Sequence, residues 1–304
     1  MASNKKRNGG RTTQPKPSTP RRLLRGFRAG PGDLAQRSTV FADLQDRSVL
    51  LIGLGNLGST SAVQLGREGV GALSLVDFDY YDPATGVRHQ LDLRAAGLPK
   101  TQALTEQIQW AAPHTAVETP QFRLGMARPN GEGPDTHDFL VDTIAATDLV
   151  YDATADRGVT SYLSDLALAA DTPMISVATA NGTLGGRIAR FEPTGICSDC
   201  LDWYLIDQPD ETSWPHLPSD PELALVQPAG CGELTFVGTG FEPAVIALGG
   251  VQAAIAVLSP AYPTADWNVA VVTMRDSDGS PIPGNTDNRR LPTHTSCSAA
   301  HKPS

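Results

Sequence analysis

Short apolar runs alternate with amphipathic stretches through the first half of the chain. SVLLI at 48–52 is wholly apolar and ends at Gly53, which predicts a buried strand. Apolar positions including Ala62, Val63 and Leu65 then fall at helical spacing across 57–68, and Gly69 and Gly71 break the pattern. ALSLV at 72–76 is a second strand, ending in Asp77. Strand, glycine turn, helix and strand in this order open a doubly wound parallel sheet.

The alternation continues. Pro99 suits the first position of a helix running through Ala103, Leu104, Ile108 and Trp110 to Pro113, because no needed amide hydrogen bond is given up there. A short strand is expected at 115–118, an exposed loop at 123–136 and a helix at 137–146. LVYDA at 149–153, a helix at 157–170 and MISVA at 174–178 follow. GGRIARFEP then suggests an antiparallel strand, and a polar, Pro-rich, Trp-containing segment extends to about residue 229. A long helix at 242–258 precedes strand NVAVVTM at 268–274. Beyond Ser277, Pro, Ser, Thr and Asn are too frequent to predict an element. The expected fold is α/β: a Rossmann-like doubly wound sheet with an additional C-terminal antiparallel part. It occupies 38–276, between a disordered arm at 1–37 and a flexible tail at 277–304.

Charge changes the picture at the N-terminus. The chain has 304 residues and a formal charge of −9, yet residues 1–37 hold ten of its 24 Lys and Arg and a single acid, Asp33. The remainder carries 14 basic and 32 acidic groups, which argues against a nucleic-acid-binding body and leaves such contact to the arm. That arm is rich in Gly, Pro, Ser and Thr and lacks the apolar stretch of a secretory signal. AVIALGGVQAAIAVL at 244–258 is shorter than the roughly 18–20 residues of a membrane span, so a buried helix is expected. Four cysteines are too few for a disulfide scaffold, and a cytoplasmic location is the default expectation.

LLIGLGNLGS carries Gly53, Gly55 and Gly58 in G-x-G-x-x-G spacing between a strand and a helix, where helix-start amides can receive a phosphate. Asp77, at the end of the second strand, is placed to accept bonds from ribose hydroxyls. A nicotinamide-dependent oxidoreductase fits this much. Arg88 and Lys100 favour a triphosphate instead, since two cations beside a phosphate-binding turn can neutralise departing pyrophosphate, although each also suits ordinary solvated surface. YDATAD adds Asp152 and Asp156, one expected to hold Mg²⁺ on the phosphates and the other to cap a helix, with Asp156 preferred for the metal.

DRSVLLIGLGNLGS, LVDFD, the RHQ and PK elements, DATAD, CSDCL and GFEPAVIALGGVQAAIAVL together resemble the ThiF-type superfamily. That superfamily includes the molybdopterin- and thiamine-pathway adenylyltransferases and the adenylylation domains of ubiquitin-activating enzymes. The resemblance spans about 43–275. It implies ATP and Mg²⁺ as cofactors, adenylylation of the C-terminal carboxylate of a small ubiquitin-like or sulfur-carrier protein or a peptide, and a homodimer. By position it implies that Gly53, Gly55 and Gly58 form the phosphate-binding turn, that Asp77 is the ribose ligand with Asp79 in the same DFD element, and that Arg88 and Lys100 contact phosphates. Thr85 stands where the family has asparagine, the D-x-T-D element is here D-x-T-x-D, and the upstream arginine often donated across the dimer is matched only by Arg37. A non-catalytic nucleotide-binding partner is the alternative these departures support.

Cys197 and Cys200 form a C-x-x-C pair able to give two ligands to a tetrahedral structural zinc. Cys297, Cys231 or a histidine such as His294 are candidates to complete it; an unmetallated remnant and a redox pair are the other readings. Cys231 is also weighed as a thioester-forming nucleophile, but no activating base adjoins it in the sequence.

Overall fold

The computed structural model of the chain describes residues 28, 30–120, 123–124, 136–207, 225–226, 235–263 and 266–301. Short helices α1 (Pro31–Ala35) and α2 (Phe41–Leu44) lead into strand β1 (Ser48–Ile52), helix α3 (Asn56–Glu68) and β2 (Ala72–Val76). Then come α4 (Lys100–Ala111), β3 (Ala116–Glu118), α5 (Thr136–Ala145), β4 (Leu149–Asp152), α6 (Arg157–Ala169) and β5 (Met174–Thr179). β6 (Gly185–Phe191), α7 (Ser198–Asp207), the two-residue strands β7 (Leu225–Val226) and β8 (Thr235–Phe236), α8 (Glu242–Leu258), β9 (Val269–Arg275) and β10 (Pro281–Arg289) complete the order.

The main sheet runs β10-β9-β6-β5-β4-β1-β2-β3. β3, β2, β1, β4 and β5 are parallel, whereas β6, β9 and β10 pair antiparallel, which is the Rossmann-like sheet with its antiparallel extension. Side chains alternate across it. Val49 and Leu51 of β1 join Tyr151, Val177 and Val272 in the core beneath α3, α4 and α8, while Leu50 and Ile52 join Val150, Met174 and Val271 beneath α5, α6 and α7. Both faces are covered, so β1 needs the continuous apolar run the sequence shows. α8 reaches the sheet through Gly250, where a Cβ would overlap the Tyr151 hydroxyl and the Val177 side chain.

Ile52 pairs with both Val76 and Asp152, so three strands end level at one edge. The strand order reverses between β1 and β4 there, and the crevice at such a reversal is where open α/β sheets bind ligands.

Several expectations need correction. Pro99 is the N-cap of α4, one residue ahead of the helix. Residues 31–35 of the arm assigned as disordered form α1, started by Pro31 at its first turn; residues 1–27 lie outside the described residues. The tail assigned as flexible holds β10, paired along β9, so the folded body continues past 276. β10 is an edge strand with mostly exposed side chains, held by main-chain bonds that need no apolar alternation, hence the missing sequence signal. α7 begins on the cysteine pair, where no helix was expected. Of the loop expected at 123–136, residues 123–124 are described, Thr136 opens α5, and 125–135 lie outside the described residues.

Candidate functional site

A cavity of about 390 Å³ opens at the level strand ends, lined by Gly53, Gly55, Asn56, Asp77, Asp79 and Lys100 among others. Its volume is that of a small-molecule site. Gly53 takes φ 85°, in the left-handed region, and turns the chain directly from β1 toward α3. A Cβ on Gly58 would overlap Gly53 O, so the helix meets the turn only because position 58 is glycine, and a Cβ on Gly53 would overlap the backbone of Ala153 and Thr154. A Cβ on Gly55 would meet no atom within 4 Å, so its space opens into the cavity. α3 starts here with no acidic residue in its first turn, leaving the positive end of the helix facing the cavity.

Asp77 holds the turn. Its Oδ2 accepts the Leu54 N–H at 2.6 Å and its Oδ1 accepts the Asp79 N–H at 2.7 Å. Burial pushes its carboxyl above the ordinary value, opposed by the Lys100 charge and those two amides. Lys100 Nζ donates to Asp79 Oδ2 at 2.7 Å and lies 4.0 Å from Asp77 Oδ1. Lys100 is 8% exposed, and the two carboxylates compensate the desolvation of its ammonium.

The two acids of DATAD separate in space. Asp152 is fully buried and lies outside the cavity wall: Oδ1 accepts from Thr154 N and Oγ1, and Oδ2 from Thr160 and Ser176 hydroxyls at 2.6 and 2.9 Å. Asp156 lines the cavity and caps α6, with Oδ1 accepting the Val159 N–H at 2.9 Å; Oδ2 accepts from no described residue. Ala155 between them takes φ 56°, the left-handed bend that separates the two side chains. Asp156 therefore has an oxygen available to a cation, and Asp152 ties β4, β5 and α6 together.

Arg88 is half-buried behind the turn Pro83–Val87 and is not among the cavity-lining residues. Thr85 donates its hydroxyl to Asp82 O at 2.7 Å. Asn56, Phe78 and Arg123 are among the cavity-lining residues that the sequence reading did not single out. Asn56 Oδ1 is buried with no described partner, and Arg123 lies 4.8 Å over the Phe78 ring, all three lining the cavity. Asn56 sits inside the glycine motif and was findable; nothing local marks Arg123.

The cysteines gather elsewhere. Cys197, Cys200, Cys297 and His301 bring their ligand atoms within 4.8 Å of one another. Sγ–Sγ distances are 3.9 Å for Cys197–Cys200 and 3.6 Å for Cys197–Cys297, and His301 Nε2 lies 3.5, 3.3 and 3.3 Å from Cys197, Cys200 and Cys297. A tetrahedral zinc with bonds of about 2.3 Å to sulfur and 2.0 Å to nitrogen has edges of roughly 3.5–3.8 Å, so the donor set fits. The fourth donor of this group is His301, four residues after Cys297, a spacing visible in the sequence. His294 gives its backbone N–H to Cys200 Sγ, while its ring pairs with Asp207. Cys231 lies outside the described residues.

The model of the ThiF family matches residues 35–270. The Sinorhizobium fredii protein y4qC is 33% identical over 250 residues, covering 81% of this chain and 42% of that protein. Escherichia coli K12 molybdopterin-synthase adenylyltransferase is 32% identical over 164 residues, covering 52% of this chain and 59% of that enzyme. The crystal structure of E. coli MccB with ATP shares the fold, with a TM-score of 0.58 at 16% identity over 86% of this chain and 68% of MccB. The chain spans less than half the length of y4qC and of a second S. fredii relative, y4oA, at 42% and 46%.

Proposed function

The chain belongs to the ThiF family, and from that premise we propose that it uses ATP to adenylylate the C-terminal carboxylate of a small ubiquitin-like protein or peptide. The observation that carries this reading is the cavity at the β1/β4 reversal, where the glycine turn, Asp77, Lys100 and Asp156 meet. Molybdopterin-synthase and ThiS adenylyltransferases of E. coli are among its relatives. MccB is seen in complex with ATP and, in another structure, with N-formylated MccA; those ligands are MccB's own.

In the proposed reaction the triphosphate lies against the first turn of α3 and the ribose against Asp77. The incoming carboxylate oxygen bonds to the α-phosphorus as the bond to the bridging oxygen breaks, giving acyl-adenylate and pyrophosphate. No protein base is required, because the carboxylate is ionised at neutral pH. Lys100 meets charge developing on the phosphates, and Arg123 at the cavity wall is placed to assist. Arg88 acts here only if bound nucleotide draws it toward the cavity. Asp156 would hold Mg²⁺, which would supply charge neutralisation on the phosphates.

Structural zinc at Cys197, Cys200, Cys297 and His301 is part of the proposal. There it would fasten the start of α7 to Cys297 and His301. A homodimer and a cytoplasmic location belong to the same reading; no helix among the described residues is long and apolar enough to cross a membrane.

ATP–pyrophosphate exchange in Mg²⁺, with candidate proteins ending in Gly-Gly and with short peptides, tests the function. Exchange dependent on one candidate and lost in Lys100→Ala establishes adenylylation. ATP binding without exchange across all candidates favours a non-catalytic partner protein.

A further inference from the structure

His89 does not line the cavity, and the proposed transfer gives it no step. The residue is 9% exposed, and both ring nitrogens are engaged. The Leu91 N–H donates to Nδ1 at 3.1 Å, and Nε2 lies 2.8 Å from Leu54 O. A backbone N–H can only donate, so Nδ1 is the acceptor and Nε2 carries the proton that it gives to Leu54 O. Burial pushes the ring's pKa down to about 4, which keeps this neutral tautomer through the ordinary range. The Tyr81 ring lies 5.1 Å away, and its hydroxyl donates to Leu91 O at 3.0 Å, bracing the same loop.

Leu54 is the residue between Gly53 and Gly55 in the glycine turn. Asp77 takes its N–H and His89 takes its carbonyl. Across a trans peptide the C=O and the following N–H point in opposite directions, and no peptide here is cis. A Leu54 carbonyl turned toward His89 therefore turns the Gly55 N–H away from it. Gly55 lines the cavity, its Cβ position is open, and its N–H donates to no described residue. We propose that His89 is a positioning residue: by holding the Leu54 carbonyl behind the turn, it aims the Gly55 amide at a phosphate of the bound nucleotide. The inference rests on the nucleotide-binding reading of the cavity.

Calorimetric titration of ATP and of adenosine into the full chain and two variants tests it. In His89→Gln the amide nitrogen stands near the position of Nε2 and can still donate to Leu54 O; in His89→Asn the side chain is too short. The expected result is ATP affinity lowered about tenfold in His89→Asn and restored to within about threefold of wild type in His89→Gln, with adenosine, which has no phosphate, unchanged in both. Equal loss of ATP and adenosine affinity, no loss of either, or no rescue by glutamine overturns the role of His89 and leaves the nucleotide reading standing. A wild-type chain that binds no ATP overturns both. Should His89→Asn not fold, the wild-type Gly55 amide proton decides: a downfield shift on ATP addition is expected, and an unmoved resonance overturns the assignment.

Discussion

Lys100 Nζ sits 2.7 Å from Asp79 Oδ2 and donates to it, with Asp77 4.0 Å away on the same side. The cation at the cavity is thus held between two acids placed by the end of β2. Lys100→Ala removes the charge that compensates two buried carboxylates. It is expected to lower stability by about 3 kcal/mol and exchange by at least about a hundredfold. Urea denaturation and the exchange assay read the two effects separately.

Gly55→Ala and Gly58→Ala should diverge. The first adds a methyl group that meets no protein atom within 4 Å, so the melting temperature stays close to wild type while ATP affinity falls. The second drives a methyl group into Gly53 O and unsettles the fold itself. Thermal melting with and without ATP distinguishes them; a Gly55→Ala chain that binds ATP normally would contradict close phosphate approach.

Asp156→Asn keeps a capping oxygen but removes the charge, so stability changes by less than about 1 kcal/mol while the Mg²⁺ needed for half-maximal exchange rises. Asp152→Ala strips the acceptor from three hydroxyls and one amide, and its expected effect is destabilisation. A magnesium titration of the Asp156→Asn chain indistinguishable from wild type would remove Asp156 from the metal site.

Purified chain should carry about one zinc per molecule, and His301→Ala should weaken its retention at least about tenfold against a chelator. Cys231→Ser should leave the zinc content unchanged, since four ligands are already supplied. Metal analysis after dialysis measures both. Full zinc retention in His301→Ala would exclude the histidine as a ligand.

The buried His89 makes stability pH-dependent. Its folded pKa of about 4 lies below the ordinary value of 6.5, so the unfolded chain takes up the proton first. This contribution is fully present above about pH 6.5 and is lost as pH falls toward 4, amounting to about 2 kcal/mol between pH 6.5 and 4.5. Denaturation at those two pH values should show a smaller drop for His89→Gln than for wild type; equal drops would assign the loss to other groups.

Much of the parallel half of the fold was legible. β1 carries a continuous apolar run because both of its faces are buried, and Gly53 after β1 and Gly69 after α3 stand where φ is positive. Gly53, Gly55, Gly58, Asp77 and Lys100 could be gathered into one site from sequence, since each follows closely on a strand end or a helix start that the pattern locates. Other relations depend on contacts across long separations. β10 draws its order from the main chain of β9, whatever its side chains. Arg88 and its neighbour His89 differ by one position, yet the loop leaves the first off the cavity wall and turns the second onto Leu54. Likewise Asp152 and Asp156 look interchangeable in DATAD until β5 and α6 surround one with hydroxyls and leave the other at the cavity. Local periodicity and turn chemistry determine which elements form and where the glycine turn lies. Which side chains face the cavity, and which four residues meet at the cysteine cluster, is decided only when distant segments pack, because burial and hydrogen-bond pairing are properties of the assembled chain.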